Sequence, residues 1–236
     1  MANKYTLNIA HLYGDLMNTY GDLGNILVLQ YYGKKMGIDV QSNVVSLDED
    51  FKANDYDIAV FGGGQDFEQT IVSKDIQTKK DEIKKFIETD GCLLAICGGF
   101  QLLGKYYIDA NGDKIPGIGV LDHYTEQQHD NRFIGNILIK NEETGEQYHG
   151  FENHQGVTYT GKGERPLGDV EKGYGNNGQD KAEGAIYKNV YCTYFHGPIL
   201  ARNNIIAKHI LIKALKRRYP NDDFSKLEQM DVEKSY

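Results

Sequence analysis

The chain has 236 residues, 40% hydrophobic and 25% charged, with 27 glycines and 4 prolines, which excludes the disordered, collagen-like and disulfide-scaffold classes. A formal net charge of -8 sets an acidic surface against phosphodiester backbones and counts against nucleic-acid binding. No run approaches the roughly 18 apolar residues of a membrane span. The opening Met1-Ala2-Asn3-Lys4-Tyr5 lacks the apolar stretch of a signal peptide. Three cysteines, Cys92, Cys97 and Cys192, fit free thiols in a reducing compartment, so the expectation is a cytoplasmic protein with one large domain.

In chain order, Tyr5 to Leu12 alternates well enough for a first strand. A Gly/Asp-rich connection leads to a helix over about Leu23 to Met36, stopped by Gly37. Ile38 to Leu47 reads as a second strand. Asp57 to Phe61 is a short apolar run that ends abruptly in Gly62-Gly63-Gly64, as a buried parallel strand does. A charged amphipathic helix over about Ser73 to Thr89 follows, then a buried strand at Cys92 to Ile96 and a helix from Gly98. This β-α-β-α alternation predicts an α/β fold: a flavodoxin-like, open and mostly parallel sheet with helices on both faces. From Gly117 to Tyr194 the chain is rich in Gly, Asn, Tyr and Thr, which predicts an antiparallel extension. A strand at Val190 to Phe195 and a helix over about Asn203 to Arg218 close the domain, taken as residues 1–220. Residues 221–236 form a polar tail, either loose or a docking segment.

Cys97 follows four apolar residues and precedes two glycines and a helix. That is the layout of a nucleophile elbow, in which a sharp turn lifts the reactive side chain above the sheet edge. A helix starting at Gly98 points its amides at the sulfur, which predicts a lowered thiol pKa, and places the Gly98 amide to bind an oxyanion. Read alone, Cys97 is equally well a small buried hydrophobe. Cys92 and Cys192 lie inside strands and are assigned to packing. A thiol nucleophile needs a base. Of the seven histidines, His11, His123, His129, His149, His154 and His209 read as surface or satisfied core residues. His196 ends an apolar strand before a Gly197-Pro198 turn, at the carboxyl edge of the sheet where Cys97 also lies.

Two glycine-rich segments are decoys. Gly62-Gly63-Gly64 fails as a dinucleotide fingerprint because Phe67 replaces the third glycine, and Gly156 to Lys162 lacks the Ser/Thr of a phosphate loop. Zinc-ligand spacing is absent around His149 and His154. Nucleotide, metal and cofactor sites are therefore not expected in this chain.

Four segments in order, Phe61-Gly62-Gly63-Gly64, Ile96-Cys97-Gly98-Gly99-Phe100-Gln101, Gly150-Phe151-Glu152-Asn153-His154 and Tyr194-Phe195-His196-Gly197-Pro198, resemble the class I glutamine amidotransferases. The branch is the one shared with cobyric acid synthase, and the similarity runs from about residue 5 to 220. The segments Leu16 to Asn25 and Gly173 to Asn177 add to it. Within that branch the motifs are most similar to the glutaminase subunits that serve lipid II amidation in peptidoglycan synthesis beside a Mur-ligase-like synthetase, MurT. The resemblance implies that Cys97 attacks the side-chain carboxamide of glutamine, with His196 as base and acid. It implies Gly64 and Gly98 amides as the oxyanion hole, Gln101 as a glutamine-site residue and Arg132 as the residue that orients glutamine. It further implies a heterodimer with the synthetase, which would hold ATP and magnesium. Many class I members carry a glutamate two residues past the histidine; here Pro198 stands there, so the residue orienting His196 is unnamed. Rival readings are an amidotransferase for another, corrinoid-type acceptor, a peptidase-like hydrolase, and a flavodoxin-like redox module with Cys97 as sensor.

Overall fold

The computed structural model describes residues 4–128 and 131–232; His129 and the last four residues of the tail lie outside them. The first half is β1 (Tyr5–Leu12), α1 (Leu23–Lys35), β2 (Ile38–Val45), β3 (Ile58–Phe61), α2 (Asp66–Glu88), β4 (Cys92–Ile96) and α3 (Gly98–Leu103). The second half continues with β5 (Tyr106–Ile108), β6 (Lys114–Pro116), β7 (Tyr124–Gln127), β8 (Phe133–Lys140), β9 (Gln147–His154), β10 (Gly156–Tyr159), β11 (Gly168–Lys172), β12 (Ala182–Glu183), β13 (Ala185–Tyr187), β14 (Val190–Thr193) and β15 (Phe195–His196). The chain then runs through α4 (Ile199–Arg202), α5 (Asn204–Arg218) and α6 (Ser225–Glu228).

The central sheet has the order β13-β14-β4-β3-β1-β2, parallel throughout except for the edge strand β13. Its strands are apolar on both faces because both are covered. Leu7, Ile9, Ile58, Val60, Leu94 and Ile96 point to one side, into a core shared with α1 and α5. Their neighbours Ala10, Leu12, Ala59, Phe61, Leu93 and Ala95 point to the other, into a core shared with α2 and α3. The expected antiparallel extension consists of two small sheets, a mixed one of order β10-β7-β5-β6 and an antiparallel one of order β12-β11-β8-β9-β15.

Two boundaries differ from the sequence reading in ways that matter. Helix α2 begins at Asp66, not near Ser73. The added turns carry Phe67, 72% exposed, which breaks the apolar periodicity, while Asp66 and Glu68 suit a helix start electrostatically. The single strand expected at Val190 to Phe195 is split at Tyr194. β14 pairs with β4 as far as Thr193 opposite Ile96, and β15 then pairs with β9 in another sheet.

Residues 221–232 fold back on α5. Phe224 is buried and meets Tyr5 edge-on at 5.3 Å between ring centroids. The Lys208 ammonium donates to the main-chain carbonyls of Glu228 at 2.5 Å and Met230 at 2.6 Å. Phe224→Ala should therefore cost about 3 kcal/mol in urea unfolding and open the segment after Arg218 to protease. Unchanged stability and cleavage would show that the contact contributes nothing.

Candidate active site

At the end of β4 the chain turns into α3 through Cys97, whose backbone stands at φ 50°, ψ -105°. A non-glycine residue there costs about 1–3 kcal/mol and persists only where its surroundings fix it. They do so by hydrogen bonds: Cys97 N–H donates to the Thr193 carbonyl at 2.9 Å, and Gln101 N–H to the Cys97 carbonyl at 3.0 Å. Gly99 N–H donates to the Gly62 carbonyl at 3.1 Å, and a Cβ on Gly99 would come within 2.4 Å of the Phe61 carbonyl oxygen. The elbow can close against β3 only with glycine at that position.

His196 is brought to the same spot from the other sheet. A Cβ on Gly63 would stand 3.3 Å from Cys97 Cβ and 3.7 Å from His196 Cε1, so the two side chains face each other across one glycine. His196 is buried, with the Tyr20 ring over it at 4.0 Å. Neither ring nitrogen has a partner of good hydrogen-bond geometry among the described residues. The adjoining cleft, about 440 Å³, is lined by Gly64, Cys97, Gln101, Arg132 and Asn153 among others. The Arg132 guanidinium is fixed by Asn153, donating from Nε to Oδ1 and from Nη2 to the backbone carbonyl at 3.4 Å. Gln101 is buried and donates to the Tyr194 hydroxyl at 3.2 Å. The Gly98 amide opens α3 beside the sulfur, and the Gly64 carbonyl accepts from Gln69 Nε2 at 3.0 Å. Of the six residues singled out from the sequence, Gly64, Cys97, Gln101 and Arg132 line this cleft, Gly98 follows Cys97 directly, and His196 faces Cys97 from behind Gly63. A larger cleft, about 780 Å³, lies between β9, α5 and the tail, but it holds no cysteine or serine, so size does not mark the site.

Comparison with known proteins agrees with this geometry. Residues 8–204 match the model of the CobB/CobQ-like glutamine amidotransferase domain. The chain belongs to that family. It is similar to the Lipid II isoglutaminyl synthase (glutamine-hydrolyzing) subunit GatD of Streptococcus pneumoniae, 56% identical over 92% of this chain and 84% of the relative. The GatD subunit of Staphylococcus aureus is 42% identical, over 91% and 86%. A probable cobyric acid synthase of Methanothermobacter thermautotrophicus is 28% identical over 77% of this chain, but only 39% of that longer protein is matched. Among solved structures, a glutamine amidotransferase superposes with a TM-score of 0.55 at 18% identity, covering 87% of this chain and 98% of the other. PurLQS from Thermotoga maritima superposes at 0.56 and 15%, covering 89% and 96%; both likenesses concern the fold.

The electrostatics of this glutamine amidotransferase correct one expectation. The Cys97 thiol is not lowered but pushed up to about 12, first by burial and second by the charge of Asp22; the Gly98 amide and Arg132 pull the other way and lose. Burial also draws His196 down to about 4, with Arg132 acting in the same sense and the Asn153 backbone opposing. At neutral pH the pair therefore rests as thiol and neutral imidazole, whose unprotonated ring nitrogen can accept a proton. Among the described residues no group of three or more His, Cys, Asp or Glu could hold a metal.

Several residues of the site went unread in the sequence. Tyr20 and Asp22 belong to the Leu16 to Asn25 segment, which bears on the resemblance without a role. Asn153 and Gln69 carry no pattern that separates them from other amides. Glu183, fully buried, accepts from Thr193 Oγ1 at 2.7 Å and Tyr194 N–H at 2.8 Å, where the chain crosses between sheets. His154, read as unexceptional, is buried, stacked on Tyr194 at 3.8 Å and joined through Nδ1 to the Gly156 carbonyl at 2.7 Å.

Burial raises Glu183 to about 8, while the two hydrogen bonds it accepts hold it down. A carboxyl whose pKa is higher folded than unfolded favours folding fully below its unfolded value, and that contribution disappears as pH rises through the folded value. Between about pH 5 and about pH 8 the wild type should thus lose stability in urea titrations. Glu183→Gln should flatten that slope. An unchanged slope in the variant would place the titration elsewhere.

Proposed function

We propose that this chain is the cytoplasmic glutamine-hydrolysing subunit of a lipid II isoglutaminyl synthase. In this reading Cys97 Sγ attacks the side-chain carbonyl carbon of glutamine while His196 takes the thiol proton. The oxyanion is held by the amides of Gly64 and Gly98. His196 then returns the proton to the departing nitrogen, the C–N bond breaks, and ammonia leaves behind a γ-glutamyl thioester. Water, deprotonated by His196, hydrolyses the thioester to glutamate and restores the thiol. Arg132 receives the α-carboxylate of glutamine and Gln101 lines its site. The observation that carries the reading is Cys97 on a strained elbow facing a neutral imidazole across Gly63, in a chain 56% identical to a GatD subunit.

The ammonia goes to a Mur-ligase-like partner, MurT, in a heterodimer. ATP and magnesium belong to that partner, which activates the α-carboxyl of the D-glutamate residue of lipid II. Free ammonia released into water is protonated and no longer a nucleophile, which favours a docked synthetase over a lone glutaminase. The redox-sensor reading is disfavoured on geometry: a sensor thiol needs no base, whereas His196 faces Cys97 across Gly63. A corrinoid-type acceptor is the alternative that the assay below separates.

Cys97→Ala should lower ammonia release from glutamine by about 10⁴-fold or more, with Cys92→Ala and Cys192→Ala remaining active. Mixed with the synthetase, lipid II, ATP, magnesium and glutamine, the wild-type chain should give amidated lipid by mass. Cys97→Ala should not, and an ammonium salt should restore the product. Failure of ammonium to rescue, with the synthetase folded and ATP-competent, sinks the division of labour.

For Arg132, removal of a charged two-donor contact predicts a loss of roughly 30- to 100-fold in kcat/KM, about 2–3 kcal/mol, in Arg132→Ala. Arg132→Lys should restore it only in part, since an ammonium cannot reproduce the planar fork. Equal kinetics in all three proteins would leave Arg132 a surface charge.

A further inference from the structure

The segment Tyr20 to Asn25 touches both halves of the site at once. Tyr20 covers the His196 ring, and a Cβ on Gly24 would come within 2.3 Å of Pro198 Cγ, so the start of α1 packs on the turn that follows His196. Asn25 Oδ1 accepts from Leu200 N–H at 3.1 Å, two residues further on. Between these contacts lies Asp22, with no exposed surface. Its Oδ2 accepts from Gly63 N–H at 2.7 Å. A Cβ on Gly62 would meet Asp22 Oδ2 at 2.9 Å, and one on Gly63 would stand 3.6 Å from the same oxygen. The carboxylate is therefore seated directly against the glycine loop, on the side away from solvent.

That loop is held at every peptide. The Gly62 carbonyl accepts from Gly99 N–H, the Gly63 carbonyl from Thr19 N–H at 3.0 Å, and the Gly64 carbonyl from Gln69. Asp22 holds the Gly63 amide and so fixes the Gly62–Gly63 peptide; the next peptide, which carries the Gly64 amide, is held at its carbonyl by Thr19. Glycines have no side chains to hold themselves, and three in a row leave many backbone conformations of similar energy. Without the Asp22 acceptor the Gly62–Gly63 peptide keeps only its Gly99 contact, and the neighbouring peptide that carries the Gly64 amide keeps only that of Thr19.

We infer that Asp22 is a positioning residue for catalysis: its carboxylate oxygen fixes the Gly62–Gly64 loop through Gly63 N–H, and thereby aims the Gly64 amide at the oxyanion of the glutamine reaction. The inference rests on the glutaminase reading for its consequence, though not for the contact itself. An ionised carboxylate beside the nucleophile would be a poor choice on electrostatic grounds, because it opposes a thiolate. Burial raises Asp22 to about 6, so near neutral pH its charge still opposes a thiolate, and its retention points to the acceptor oxygen, present in both protonation states. The other oxygen, Oδ1, has no partner, so an amide group placed there breaks no existing bond. Asp22→Asn can present its carbonyl oxygen to Gly63 and keep the geometry while losing the charge. Asp22→Ala loses both.

Two measurements on the full-length chain test this. In glutamine hydrolysis, Asp22→Ala should lose about 10²-fold in kcat, the scale of one missing oxyanion donor, with KM within about twofold of wild type. Asp22→Asn should stay within about threefold in both. In amide hydrogen exchange on glycine-labelled protein, the Gly63 amide should be protected in wild type and Asp22→Asn, and exchange at least about tenfold faster in Asp22→Ala. Wild-type kcat in Asp22→Ala overturns the inference, and so does a loss in Asp22→Asn as large as in Asp22→Ala, which would make charge the operative property. Should Asp22→Ala fail to fold, the isosteric Asp22→Leu, which also lacks the acceptor, takes its place in both measurements with the same expected and overturning results. A wild-type chain inactive on glutamine would count against the glutaminase reading, while exchange at Gly63 unaltered by Asp22→Ala would still overturn the role given to Asp22.

Discussion

The Cys97–His196 pair exists only because the chain changes sheets between Thr193 and Phe195, and the carboxyl of Glu183 holds that crossover. One of its oxygens accepts from the Thr193 hydroxyl and the Tyr194 amide, and the Thr193 hydroxyl in turn accepts from Phe195 N–H at 3.0 Å. The Thr193 carbonyl meanwhile receives the Cys97 amide. Three residues thus connect the strained elbow to the strand that carries the base. Backbone groups at a crossover have left one ladder and not yet joined the next, and when buried they must find partners elsewhere. A buried side-chain acceptor at that point satisfies the donors and fixes the angle between the two sheets.

The same logic accounts for the resting chemistry. His196 is buried and Cys97 half-buried at the cleft, and desolvation favours the neutral form of each, the thiol because its anion is poorly solvated and the imidazole because its cation is. Proton transfer between them creates an ion pair that needs compensation at the moment of attack. In the proposed reaction the amides of Gly64 and Gly98 supply that compensation, and Arg132 borders the same cleft. The protein invests backbone strain at Cys97 and glycine at Gly63 and Gly99 to bring these groups into one small space.

The first half of the fold was legible because parallel strands covered on both faces leave apolar runs, and two of them end sharply, at Gly62 and at Cys97. The elbow was legible for the same reason: Cys92 to Ile96 stops where two glycines start a helix. His196 could be placed at the sheet edge from its strand, although that strand proved to be two. What escaped the sequence is held together by contacts distant along the chain. Asp22 lies 41 positions from the amide it receives, and nothing in periodicity ties an aspartate to a remote glycine. The raised thiol pKa escaped because the pull of a helix start is local and readable, whereas desolvation depends on how completely α1, β15 and the second sheet close around the sulfur. The start of α2 escaped because its exposed Phe67 faces the cleft mouth and not the core.

The way the tail is fastened has a consequence of its own. Lys208 grips residues 228 and 230 by their carbonyl oxygens, which every amino acid supplies alike. The fastening also reads side chains: Asp222 accepts from the Tyr5 hydroxyl, Glu228 pairs with Lys216, and Leu227, Met230 and Val232 pack on the core. Only the remaining, outward-facing positions of this segment can change their charge or shape without loosening it from the body of the protein.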